Sequence, residues 1–204
     1  MKKVLLAIFA AATLAVSANA QVNVEAGYVN SVQKLKKSGS TVSGTSNGVY
    51  VGASYNFAFG KVISLSPGVQ YEFLTTGDYK VLPLASGSVQ EHYANVPVLL
   101  NAGVNIGSNV RIYFYAGPTL SIGIATSKSI NSGVGDGGNI KKQNLYADDT
   151  YKRLDVLLGG GAGVEICRRI RLTAGYDAGL LNRTSLDDAT LRRNRLHVGA
   201  AVTF

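Results

Sequence analysis

Hydrophobic and polar residues alternate along most of this chain, in runs separated by turn-forming segments. The clearest run goes from Val110 to Ile124. One parity carries Val110, Ile112, Phe114, Ala116, Leu120, Ile122 and Ile124. The other carries Arg111, Tyr113, Tyr115, Gly117, Thr119, Ser121 and Gly123. A period of two marks a strand with one apolar face and one polar, small-residue face. This run is well beyond the length of an average strand, about five or six residues.

The same alternation predicts eight strands: Val22 to Asn30, Val49 to Phe57, Val62 to Leu74, His92 to about Val104, Val110 to Ile124, Leu154 to Ile166, Ile170 to Leu180, and Leu196 to Phe204. Three links are tight turns, at Ala58 to Lys61, Gly107 to Asn109 and Cys167 to Arg169. The other four are long: Ser31 to Gly48, Thr75 to Glu91, Ala125 to Arg153 and roughly Leu181 to Arg195. An even strand count with links alternately short and long is the layout of a bacterial outer-membrane barrel. The expected fold is therefore all-β, an eight-stranded antiparallel up-and-down transmembrane β-barrel.

Periodicity does not say which face points outward. The polar face is rich in Gly, Ser and Thr and carries charges mid-strand, which fits an interior just wide enough for side chains. The aromatics fall at two heights. Tyr28, Tyr71 and Phe73 lie near the expected outer rim, and Tyr55, Phe57 and Phe204 near the inner one, as in interfacial girdles. The N-terminus agrees, because Lys2 and Lys3 precede an apolar stretch from Val4 to Val16 and a small-x-small site at Ala18-Asn19-Ala20. Residues 1–20 are expected to be a cleaved signal peptide and 21–204 a single barrel domain in the outer membrane. No further periplasmic domain is expected after Phe204. Pro67, Pro97 and Pro118 cannot donate to a ladder, so bulges or breaks are expected there.

The full chain carries a net charge of +8, or +6 without Lys2 and Lys3. By these strand boundaries the whole excess sits in the four long links. A basic loop patch of Lys34, Lys36, Lys37, Lys141, Lys142, Arg192 and Arg193 results. Such a patch is solubilising charge or a contact for lipopolysaccharide phosphates or an acidic surface partner. On the inward parity stand Glu25, Glu72, Arg111, Asp155, Glu165, Arg171 and Asp177. Charges confined to a narrow lumen need partners, so a plug of ion pairs is expected, with an Arg111–Glu165–Arg171 cluster near the periplasmic end. A conduction or gating site is the alternative.

Other chemistry is weakly signalled. Cys167 can form no internal disulfide and reads as a filler near a turn. The Gly-x-Gly-x-x-Gly at Gly133, Gly135 and Gly138 lacks a following helix to hold a phosphate. His92 and His197 have no hydroxyl-carboxylate pair at an enforced spacing, and Asp148-Asp149 and Asp187-Asp188 are protease-like only in composition. No cofactor, metal, nucleic-acid partner or enzyme activity is expected.

Four segments resemble the small outer-membrane β-barrel family common in Bacteroidetes-type bacteria, related in shape to OmpA/OmpX-type barrels. They are Asn95-Val96-Pro97-Val98-Leu99-Leu100, Tyr115-Ala116-Gly117-Pro118, Gly159-Gly160-Gly161-Ala162-Gly163-Val164-Glu165, and the closing His197 to Phe204. The resemblance covers essentially the whole chain after residue 20. It implies that the strand ending at Phe204 is the signal read by the barrel-insertion machinery. It implies no activity. The function expected is a structural or surface-interaction role, with outer-membrane lipid, lipopolysaccharide and an unidentified surface ligand as partners. A narrow ion or small-solute pore and a lipid-modifying barrel enzyme are the alternatives.

Overall fold

The computed structural model describes residues 21–37, 40–82, 85–132, 152–184 and 189–204. The expected signal peptide, the Gly133–Gly138 motif, Lys141, Lys142, Asp148-Asp149 and Asp187-Asp188 lie outside the described residues. Every regular element among the described residues is a strand: β1 Gln21–Lys37, β2 Ser40–Phe59, β3 Ile63–Leu82, β4 Ala85–Ile106, β5 Val110–Ser132, β6 Leu154–Ile166, β7 Ile170–Gly179 and β8 Ala189–Thr203. Each pairs antiparallel with the next, and β8 returns to β1, so the sheet closes on itself. Closure leaves no edge strand with unpaired N–H and C=O groups, which a hydrocarbon surround requires.

The alternation decides the two faces. Val24, Val51, Val69, Leu100, Phe114, Leu158, Leu172 and Val198 are exposed on the outside. Glu72, Asn95, Ser121, Asp155 and Arg193 are buried inside. This inverts a soluble barrel, as expected when the apolar face is covered by lipid.

Several strands run further than the hydrophobic pattern predicts. β1 and β2 continue as a paired ribbon to Lys37↔Ser40, β3 and β4 to Leu82↔Ala85, and β5 to Ser132. The expected loops at 31–48 and 75–91 are thus largely strand. The segment from Ser31 to Gly48 is mostly polar, with Val32, Leu35 and Val42 as its larger apolar residues, so the apolar alternation fades while backbone pairing continues. β8 begins at Ala189 rather than Leu196, and this moves charges from loop to lumen, as described below.

The prolines interrupt pairing without shifting register. The β2–β3 ladder passes from Ser54↔Gly68 to Phe57↔Leu65, β3–β4 from Pro67↔Val98 to Gln70↔Asn95, and β4–β5 from Pro97↔Thr119 to Leu100↔Ala116. A bulge in the β4–β5 ladder falls instead at His92/Tyr93.

The lumen is narrow enough that glycine is a spatial requirement in places. A Cβ at Gly161 or Gly175 would run into the Tyr115 hydroxyl and into neighbouring strand backbone or the His197 ring. Gly161→Leu is therefore expected to lower stability by about 1–3 kcal/mol through overpacking. Gly44→Ala, which meets nothing within 4 Å, is expected to leave it unchanged. Urea titration of the folded band on unheated gels measures both.

Candidate functional site

The side chains with most chemistry lie in the lumen, at the level where β3, β7 and β8 face one another. Glu72 on β3 is fully buried. Its Oε1 accepts from Arg193 Nη2 at 2.5 Å, and its Oε2 accepts from Arg195 Nη1 and Asn95 Nδ2, each at 2.9 Å. Asn95 Oδ1 in turn accepts from the Ser121 hydroxyl at 2.6 Å. Arg193 reaches further round the wall: its Nε donates to Ser31 Oγ at 3.2 Å, and its guanidinium carbon sits 3.9 Å from the centre of the Tyr93 ring. One guanidinium thereby touches side chains from β1, β3 and β4. Its planar fork of five donors suits this position, because a lysine ammonium has three donors and no plane to stack.

Arg195 carries the network across to β7. Its Nε and Nη2 both lie 2.7 Å from Asp177 Oδ2. Asp177 also stands 3.3 Å from His197 Nδ1, and His197 Nε2 is 3.0 Å from the Tyr115 hydroxyl. The four central charges, Glu72, Asp177, Arg193 and Arg195, cancel. That neutrality is what allows them to be buried together.

Two further groups flank this centre. Towards the outer end, Tyr93 donates to Glu91 at 2.8 Å, Arg183 donates to Tyr93 at 2.9 Å, and Gln33 holds the other Glu91 oxygen at 2.9 Å. Towards the end bearing the tight turns, Arg171 lies 3.7 Å from Glu165, donates to Tyr113 at 3.1 Å and stacks on its ring. A cavity of about 60 Å³ lies between this group and the centre, lined by Glu25, Gln70, Tyr50 and Tyr115 among others. A second, of about 250 Å³, opens at the turn end beside Arg111, Glu165 and Lys61.

The seven predicted lumen charges all occupy inward positions, but they do not form one cluster. Glu72 and Asp177 belong to the centre. Glu165 pairs with Arg171, while Arg111 donates to the Val62 carbonyl at 3.2 Å. Glu25 accepts from Gln70 at 3.0 Å, and Asp155 is buried within electrostatic reach of Arg183 and Arg193. The basic patch is corrected more deeply. Arg193, expected in a loop, is 0% exposed in the lumen, and Arg183 and Arg195, also assigned to that loop, are buried. Lys34, Lys36, Lys37 and Arg192 lie on strands rather than loops. A signal for the missed arginines was present, since counting back by twos from the inward His197 reaches Arg195 and Arg193. Four polar residues in a row, Arg192 to Arg195, hid it by resembling a loop.

The sequence matches the family described as outer membrane protein beta-barrel domain over residues 11–185. The chain belongs to that family. This outer-membrane barrel is also similar to solved structures of low identity. Ail, the attachment invasion locus protein of Yersinia pestis, crystallised with the heparin analogue sucrose octasulfate, is 15% identical over 91% of this chain and 99% of that one, with a TM-score of 0.49. Neisserial surface protein A is 19% identical over 90% and 97%, at 0.45. OprG of Pseudomonas aeruginosa is 11% identical over 90% and 95%, also at 0.45. No curated protein matches the chain. The barrel resides in the outer membrane.

The lumen of this outer-membrane barrel predicts a graded response to loss of carboxylates. Glu72→Gln leaves two buried guanidiniums with a single remaining central carboxylate and is expected to cost about 3–5 kcal/mol. Glu165→Gln breaks one partly hydrated pair and is expected to cost about 1 kcal/mol. Urea midpoints of the two variants in the same detergent test the order. Equal midpoints would remove the central role given to Glu72.

Proposed function

We propose that this barrel is closed to ions and that its role lies at the cell surface, through strands and loops that rise beyond the membrane. The observation carrying this reading is the Glu72–Arg193–Arg195–Asp177 network. It reaches from β3 to β7 and β8 through the middle of the lumen, with side chains at most 4% exposed. An ion crossing here would have to separate charge pairs already satisfied in a confined interior, at a cost of several kcal/mol per pair. The paired ribbons of β1–β2 and β3–β4 then serve as the part of the molecule offered to partners, an unidentified surface ligand among them.

An enzymatic role is the weaker reading. Among the described residues, the arrangement nearest to a catalytic one is Asp177–His197–Tyr115, a carboxylate, an imidazole and a hydroxyl in succession. The cavity beside it, about 60 Å³, has room for a few waters. Ligand sites usually take roughly 300 Å³ or more. This series of contacts is better read as part of the plug. Residues 1–20 are proposed to be the export peptide. Phe204, 78% exposed with its backbone N–H bonded to the Val22 carbonyl, is proposed as the residue that the insertion machinery reads.

Single-channel recording in planar bilayers tests the closed lumen. The chain is expected to insert without conductance steps, checked by a folded gel band. The double substitution Arg193→Ala with Glu72→Ala, which removes two of the four central charges while keeping charge balance, is expected to give steps. Steady conductance from the unsubstituted barrel would overturn the plug and favour the narrow-pore reading.

A further inference from the structure

The barrel's outer wall carries a second feature, independent of whether the lumen conducts. β7 stops at Gly179 while β8 and β1 continue as a pair to Lys37↔Ala189. Past Gly179 the chain leaves regular strand, with Asn182 and Arg183 still bonded to β8 at Ala189 and Leu191, and a groove of about 540 Å³ lies on the outside of the wall here. Lys34, Lys36, Arg192 and Asn194 line one side of it, and Ala178 and Leu180 the other.

Register shows that the cations point outward. Their sequence neighbours Gln33 and Arg193 face the lumen, where they bond to Glu91 and Glu72. Alternation therefore turns Lys34 and Arg192, directly paired across the β1–β8 ladder, to the other face. All three cations are exposed. The vertical order matters as much. Going up the outer wall, β8 changes from Leu196 to Asn194 to Arg192, and β1 from Val32 to Lys34 to Lys36. The groove thus straddles the place where the lipid-facing surface turns from apolar to basic, with exposed Leu180 on its apolar side. Among the described residues no acidic side chain lines the groove, and none of the three cations has an ion-pair partner.

We propose that this groove binds the phosphate-bearing headgroup of an outer-leaflet lipid, with Lys34, Lys36 and Arg192 on the phosphates and Ala178 and Leu180 against the start of the acyl region. Charge complementarity selects an anion. Position selects a lipid over a soluble polyanion, because the groove opens sideways along the lipid-facing wall and has an apolar half, which a fully hydrated anion would not use. Arg192 offers a fork matched to phosphate, and the lysines supply point charges beside it.

The test titrates the barrel, refolded in an uncharged detergent, with bis-phosphorylated lipid A and with dephosphorylated lipid A of the same acyl chains. Bound lipid is counted by native mass spectrometry. The phosphorylated form is expected to bind more tightly. In the triple variant K34Q/K36Q/R192Q, loss of three cations at about fivefold each is expected to weaken that form roughly a hundredfold, leaving the dephosphorylated form within about twofold. The double variant K34R/K36R is expected to keep the preference, and unheated gels confirm that each variant is folded. Equal binding of the two lipids by the unsubstituted barrel, or a preference that survives in K34Q/K36Q/R192Q, would overturn the proposal. So would inositol hexakisphosphate binding as tightly as phosphorylated lipid A and being lost in the same variant. The groove would then read soluble anions.

Discussion

The carboxylate of Glu72 is the interaction on which the lumen depends. It lies fully buried, and three donors from three different residues converge on its two oxygens. Two of those donors are guanidiniums, and each is also held by other groups: Arg193 by Ser31 and the Tyr93 ring, Arg195 by Asp177. A buried charge is tolerable when it is paired and its remaining hydrogen-bonding capacity is filled. Here one acid fills capacity on two bases, so neighbouring lumen side chains are positioned by their need to serve the same pair.

That arrangement is possible because the wall around it is regular. Closure of the eight strands satisfies the backbone without help from the lumen, which leaves the inward side chains free to bond one another. The wall also sets their size. At the level of Tyr115, glycines at 161 and 175 leave room for a phenol and an imidazole to meet across the barrel. The small-residue polar face and the large polar groups are therefore two halves of one packing solution. The interior of an eight-stranded barrel has space for layers of side chains but not for a row of large ones on every strand.

The outside obeys a different constraint. Facing lipid, it needs no hydrogen bonds and supplies an apolar band. Beyond that band β1 and β2 continue as a mostly polar pair to Lys37 and Ser40. The uneven heights of β7, β8 and β1 make the upper rim asymmetric, and one side of it collects outward cations over an apolar ledge. β8 thus serves lumen and rim at once by parity, since Arg193 goes in and Arg192 goes out.

Parity is also what the sequence by itself determined. Apolar alternation located all eight strands, gave their order and closure, and placed Glu25, Glu72, Arg111, Asp155, Glu165, Arg171 and Asp177 on the inner face, because side-chain direction in a strand is a local property of the backbone. It failed where the apolar signal ended: in the polar ribbons beyond the membrane, and in Arg192 to Arg195, where a strand polar on both faces reads as a loop. The meeting of Glu165 with Arg171 across a tight turn was legible in the sequence, but which distant inward charges meet was decided only by the tertiary structure. Glu72 and Arg193 are separated by 121 positions, and nothing local encodes the stagger that brings them to one height. Tilt and register of the closed sheet fix that height. They set Glu72 against Arg193 and Arg195, and they leave Glu25 with Gln70 and Lys34 beside Arg192.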